Sequence, residues 1–179
     1  MRIDFALLPM TELRNAPGEI LDRVAEQGQA FVIERNGKQK ACLVPMSVFF
    51  PDIAPARIAD ELDQLQNAGE EPRVAFTDQR ELSLTFTEAS ADHPPIKLNI
   101  LLPHGYPSAC PRVFAEGVDS NVPHRWTDGA LCLYGVMTGW NPGKHTALST
   151  LQLARQWVSH YRTWKRDGNW PTIGESHHD

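Results

Sequence analysis

Cys132 lies in the string Pro123-His124-Arg125-Trp126-Thr127-Asp128-Gly129-Ala130-Leu131-Cys132-Leu133-Tyr134, eight residues before Trp140 of Gly139-Trp140-Asn141-Pro142. A cysteine beside a glycine-containing turn, with a histidine upstream and no partner cysteine nearby, can present a thiolate to a carbonyl carbon. The competing reading is a small apolar filler between two leucines, because free cysteines are among the most buried residue types. The three cysteines, Cys42, Cys110 and Cys132, are widely spaced and form no Cys-x-x-Cys pair. That usage predicts free thiols in a cytoplasmic protein and no structural zinc site.

The surrounding landmarks run Tyr106-Pro107, Pro111-Arg112-Val113, Pro123-His124, Gly129, Cys132-Leu133 and Trp140-Asn141-Pro142, followed by a long amphipathic stretch. In this order and at nearly this spacing they resemble the ubiquitin-conjugating-enzyme (UBC) family. Its core reads Tyr-Pro, a proline-rich strand, His-Pro-Asn, Gly-x-x-Cys-Leu and Trp-x-Pro. The resemblance covers roughly residues 72 to 171 and implies that Cys132 accepts an activated C-terminal carboxyl group as a thioester and passes it to an amine. His124 takes the place of the family's asparagine, so the resemblance implies that it steadies the oxyanion; an imidazole N–H can donate that hydrogen bond. Asp128, Tyr134 and Trp140 are supporting candidates. Asp128 can orient His124, although an Asp-Gly turn also accounts for it. Tyr134 stands where many members carry an acidic residue, which leaves deprotonation of an incoming lysine without an obvious agent. The string around Cys132 and Gly168-Asn169-Trp170-Pro171 resemble the divergent bacterial branch of the family, found among antiphage defence and ubiquitin-like conjugation proteins. That branch implies a protein C-terminal tail as donor, from a ubiquitin-like protein or an antiviral nucleotidyltransferase. An upstream activating enzyme would consume the ATP, unless the tail is captured directly. The chemistry requires no metal or organic cofactor in this chain.

At 179 residues, with 41% hydrophobic and 22% charged residues, the chain has the composition of one ordinary globular domain or two small ones. Asp4 interrupts the N-terminal apolar stretch, so no signal peptide is expected, and no apolar run approaches a membrane span. A formal charge of -5 argues against nucleic-acid binding through net charge alone.

The first 50 residues have their own pattern. Residues 3 to 8 read as extended, Thr11 as the cap of a short helix broken at Asn15-Ala16-Pro17-Gly18, and Ile20, Leu21 and Val24 as one face of a second helix stopped by Gly28. Asn36-Gly37 between two apolar runs is a strong hairpin signal, and Cys42 is expected to alternate toward the small core. The strings Met10-Thr11-Glu12-Leu13-Arg14-Asn15, Val32-Ile33-Glu34-Arg35-Asn36-Gly37-Lys38 and Leu43-Val44-Pro45-Met46 resemble the N-terminal domain of the Phd/YefM antitoxin family. That resemblance implies a homodimer binding operator DNA, with Arg14, Arg35 and Lys38 as the candidate contacts. Solvated surface charge is the competing reading, since acids match bases in number over residues 1 to 50.

Pro51 to Pro55 read as a linker, Ala56 to Leu65 as an amphipathic helix with apolar residues at 58, 62 and 65, and residues 73–76, 82–87 and 96–102 as an antiparallel meander. Leu148, Leu151, Ala154, Trp157, Val158, Tyr161 and Trp164 mark a core-facing helix stripe that ends at Asp167-Gly168. His177-His178 reads as a polar tail and not a metal site. The sequence therefore predicts an α+β protein: a Phd/YefM-like dimerisation and DNA-binding module at 1–50, a linker at 51–55, and a UBC-like domain at 56–179, an antiparallel meander with flanking helices. The predicted function is acyl transfer through Cys132. The alternative is a DNA-binding regulator or antitoxin whose second domain only binds a peptide.

Overall fold

The computed structural model describes residues 4–48, 55–135 and 139–171. Residues 51–54 of the expected linker and His177-His178 lie outside the described residues. The chain forms two compact units, Met1–Pro55 and Ala56–Asp179, each containing helices and a sheet, an α+β architecture.

In the first unit, β1 (Phe5–Pro9) is followed by α1 (Met10–Asn15), α2 (Pro17–Ala25), β2 (Ala30–Arg35) and β3 (Lys38–Leu43). β1 pairs parallel to β2, and β2 antiparallel to β3, giving the order β1-β2-β3. Asn36 (φ 55°) and Gly37 (φ 71°) both adopt left-handed backbone, the requirement of a tight two-residue hairpin turn. Pro17 starts α2, where a missing N–H costs nothing. Leu8, Ile20, Val24 and Phe31 form the core, with Leu13, Ile33 and Leu43 packed against it.

Two local expectations are corrected here. α1 begins at Met10, directly after the extended Pro9, so Thr11 lies inside the helix and no side chain caps it. Cys42 is exposed and not core-facing. Its neighbour Leu43, opposite the buried Phe31, takes the core side, and strand alternation sends Cys42 the other way.

In the second unit, α3 (Pro55–Asn67) precedes β4 (Arg73–Phe76), β5 (Leu82–Glu88), β6 (Ile96–Leu102) and β7 (Arg112–Glu116), and α4 (Ala147–Asp167) follows them. The four strands form an antiparallel meander in sequence order. α4 opens with a capping box: Thr146 Oγ1 accepts the Ser149 N–H at 3.2 Å, and Ser149 Oγ accepts the Thr146 N–H at 2.8 Å. Its buried stripe is Ala147, Thr150, Leu151, Ala154, Trp157, Val158 and Tyr161, and Gly168 closes it in left-handed conformation.

α3 buries Ile58 and Leu65, and between them Glu61, which is only 1% exposed. A carboxylate there must have its charge answered. Arg57 Nη2 approaches Glu61 Oε1 at 2.7 Å, the Tyr106 hydroxyl donates to that oxygen, and the Ala147 N–H donates to Oε2 at 2.6 Å. The last contact puts negative charge at the N-terminus of α4, where the helix dipole favours it. Arg57 also donates to the His145 carbonyl at 3.0 Å. One carboxylate thus joins α3, the Tyr106 loop and the first turn of α4.

Candidate functional site

The segment that holds Cys132 is organised by a turn. Arg125 bridges to Leu131 in antiparallel fashion, the Trp126 N–H donates to the Ala130 carbonyl at 2.8 Å, and Gly129 (φ 88°) donates back to the Trp126 carbonyl at 2.9 Å. A Cβ added to Gly129 would lie 3.2 Å from Arg125 Nη2, on a backbone that disfavours any side chain. Asp128 completes the turn. Its Oδ1 accepts the Ala130 N–H at 2.9 Å and its Oδ2 pairs with Arg112 at 2.7 Å. Those contacts hold its carboxyl below the usual range, the Ala130 N–H contributing most.

Beyond the turn, the Leu131 N–H donates to the Val113 carbonyl of β7 at 2.7 Å, stitching the segment to the sheet. The Cys132 N–H donates to the His124 carbonyl at 3.0 Å, and the Leu133 N–H to the Leu131 carbonyl at 3.1 Å. The backbone amides on and beside the cysteine are therefore already engaged. Cys132 itself is half-buried.

His124 is exposed and its backbone is left-handed (φ 57°), a conformation that costs a non-glycine residue on the order of 1 kcal/mol and needs support from its surroundings. Its carbonyl accepts from two donors, Cys132 N–H and Trp157 Nε1–H, each at 3.0 Å. The imidazole stacks on Trp170, with ring centroids 4.9 Å apart and planes 29° apart. Among the described residues neither imidazole nitrogen has a hydrogen-bond partner.

Tyr134 and Trp140 lie on the far side of the cysteine in sequence. The Tyr134 hydroxyl is 2.7 Å from Thr150 Oγ1, which donates to the Thr146 carbonyl at 2.8 Å, so Tyr134 supplies the proton of its own bond. Burial pushes its hydroxyl pKa up. Trp140 donates Nε1–H to the Pro107 carbonyl at 2.6 Å and packs against Tyr106, Tyr134 and His145, with centroids 5.4 to 5.7 Å away. These two aromatics tie the cysteine segment to the Tyr106-Pro107 loop and to α4.

A cavity of about 320 Å³ lies against the same segment, lined by residues that include Cys110, Arg112, Trp126, Leu131, Leu133 and Tyr134. Trp126 is 55% exposed. Cys110 is exposed as a residue, and partial burial of its thiol raises the thiol pKa. Among the described residues no cluster of three or more His, Cys, Asp or Glu could hold a metal ion.

In the first unit, Arg14 is exposed in the last turn of α1, and Arg35 and Lys38 are exposed and paired opposite each other across the hairpin. Phe5 (47% exposed) and Leu7 (60%) lie on the face of β1 opposite the buried Leu8.

Residues 96–178 match the family described as Type II CBASS E2 protein, and residues 7–79 match the antitoxin Phd_YefM family of type II toxin-antitoxin systems. The chain joins a Phd/YefM antitoxin domain to a type II CBASS E2 domain. The antitoxin match runs through α3 and β4, which pack in the second unit. The E2 match contains every residue from His124 to Trp170 described above and supports a ubiquitin-conjugating-like role in antiphage defence. No curated protein matches the chain. Among solved structures, a complex of the Vps23 UEV with ubiquitin is 19% identical, with a TM-score of 0.44, over 63% of this chain and 89% of that one. The yeast Vps23 UEV domain in complex with a Vps27 PSDP peptide is 17% identical, with a TM-score of 0.43, over 63% and 86%. No helix among the described residues of the E2 or antitoxin domain is long and apolar enough to cross a membrane.

Two features of the second unit escaped the sequence reading. Glu61 is not among the apolar residues at 58, 62 and 65 that mark its helix, yet it lies three residues from Ile58 and shares its stripe. The link between Trp170 and His124 joins residues 46 positions apart, and no local pattern carries it.

Proposed function

We propose that the E2 domain transfers an acyl group through Cys132. The Sγ thiolate attacks the carbonyl carbon of an activated protein C-terminus. A tetrahedral oxyanion forms, collapses to the Cys132 thioester, and expels the activating group. An amine acceptor then attacks the thioester carbonyl, releases the Cys132 thiolate and loses a proton to solvent. The observation that carries this reading is the state of the backbone around the cysteine. The amides of Leu131, Cys132 and Leu133 all donate to protein carbonyls, so an oxyanion there would need a side-chain donor. His124, bound to the cysteine through its own carbonyl and with its imidazole nitrogens unbonded among the described residues, supplies one. The donor is the tail of a ubiquitin-like protein or of an antiviral nucleotidyltransferase, charged by an activating enzyme. An intact-mass measurement on the chain co-expressed with its neighbouring genes tests this. A thiol-reducible adduct on Cys132 supports it, and an adduct on Cys42 or Cys110 instead would overturn it.

A second reading is favoured by the cavity that Leu131 and Leu133, the neighbours of Cys132, help to line. Its apolar walls and exposed Trp126 would hold a side chain of a bound tail whether or not the thiol reacts, making the domain a peptide receptor.

For the antitoxin domain the proposal is dimerisation. Phe5 and Leu7 present an apolar strand face to solvent, and covering a fully exposed leucine is worth roughly 1.5–3 kcal/mol. Operator binding through Arg14, Arg35 and Lys38 is the accompanying proposal.

A further inference from the structure

We infer that Trp170 is a positioning residue for Cys132, acting through His124; this rests on the reading of Cys132 as the acyl acceptor. The Gly168 N–H donates to the Trp164 carbonyl at 2.8 Å, and the left-handed glycine ends α4 and redirects the chain. The segment that follows returns to the helix it has just left. Trp170 lies 5.3 Å from Trp157 and 6.0 Å, edge-on, from His160, ring centroid to ring centroid. Trp157 and His160 are three residues apart on α4 and so share a face.

The same indole stacks on His124 at 4.9 Å. His124 is thus gripped in two places. Its carbonyl is fixed by Trp157 Nε1–H and the Cys132 N–H, and its ring by Trp170. A left-handed non-glycine residue reverts to ordinary backbone when its supports are removed. Rotation of the His124 peptide would withdraw the acceptor from the Cys132 N–H and move the imidazole off Trp170. Trp170 opposes that rotation from outside the loop. Trp157 has a double part, since it anchors Trp170 by its ring and His124 by its N–H. The chain just beyond α4 is therefore an element of the cysteine site and not an appendage.

Amide hydrogen exchange at Cys132 in the full chain tests the inference, with amides of β5 and β6 as the control for the fold. Trp170→Ala should speed exchange at Cys132 by about three- to tenfold, the weight of one aromatic stack, and leave β5 and β6 unchanged. Trp170→Phe, which can still stack, should restore protection. Combined with His124→Ala, Trp170→Ala should add nothing further, because its effect passes through the imidazole. Wild-type exchange in Trp170→Ala would overturn the inference, as would full additivity with His124→Ala. If Trp170→Ala also loosens β5 and β6, Trp170→Leu decides, since it keeps an apolar contact with Trp157 but cannot stack. Faster exchange at Cys132 alone supports the inference, and wild-type protection overturns it. Intact mass separately reports whether wild-type Cys132 carries an adduct, so a failure of the acyl-transfer reading is recognised apart from these exchange results.

Discussion

Cys132 and His124 are joined through the backbone: the cysteine N–H donates to the histidine carbonyl at 3.0 Å, with the seven residues 125–131 between them. One backbone hydrogen bond therefore holds the proposed nucleophile to the residue of the proposed oxyanion donor, and the turn at Asp128-Gly129 sets the span between them.

The first prediction concerns the nucleophile. Cys132→Ser should convert a reducible adduct into an ester that survives thiol treatment, and Cys132→Ala should remove the adduct while thermal unfolding stays close to wild type. Denaturing gels with and without reductant, followed by peptide mapping, provide the check. A reducible adduct that persists in Cys132→Ala would refute the assignment.

The second concerns His124. Removing one oxyanion donor costs on the order of a hundredfold in rate. Single-turnover transfer from a preformed thioester should slow by about that factor in His124→Ala, and His124→Asn should regain part of it. Equal rates in wild type and His124→Ala would make the residue structural only.

A third prediction addresses Glu61. Glu61→Ala would leave Arg57 and the Tyr106 hydroxyl facing a vacancy, and breaking such a buried pair costs about 3–5 kcal/mol. Glu61→Gln keeps the shape and one acceptor, so its loss should be smaller. Urea titrations of both variants, followed by tryptophan fluorescence, measure the difference.

Glu70 gives a pH dependence. The Arg155 guanidinium bonds it in bidentate fashion and holds its pKa below the ordinary carboxylate value. A depressed folded-state pKa means stability that is present above the unfolded value, about 4.3, and is lost as pH falls through the lower folded value. Glu70→Gln should therefore be less stable than wild type near neutrality, and the gap should close below about pH 4. A gap that stays constant across that range would contradict the linkage.

The last prediction is assembly. Light scattering should show the full chain as a dimer, and Leu7→Glu, which puts a charge on the exposed face of β1, should make it a monomer. At low salt the dimer should retard its own promoter fragment, and the combined Arg14→Ala and Arg35→Ala variant should not, because phosphate neutralisation dominates such affinity. A monomeric wild type would defeat the dimer proposal.

Much of this protein is written in local sequence. Asn36-Gly37 dictates the hairpin because those two positions need left-handed backbone, Pro17 and Gly168 mark helix ends by their own φ preferences, and the apolar period from Leu151 to Tyr161 states which side of α4 is inside. The order of Tyr-Pro, Gly-x-x-Cys-Leu and Trp-Asn-Pro carries the resemblance to conjugating enzymes before any coordinate is known. Tertiary structure alone decided which groups meet. Glu61 is buried because three donors from Arg57, Tyr106 and Ala147 converge on it, and Cys42 faces outward because Leu43 takes the core side of β3. Trp170 reaches His124 because a helix of 21 residues ends in a left-handed glycine that turns the chain back. Propensity and periodicity act over a few residues and can be read along the chain. Contacts between distant residues depend on how whole elements pack, and that information exists only once the chain has folded.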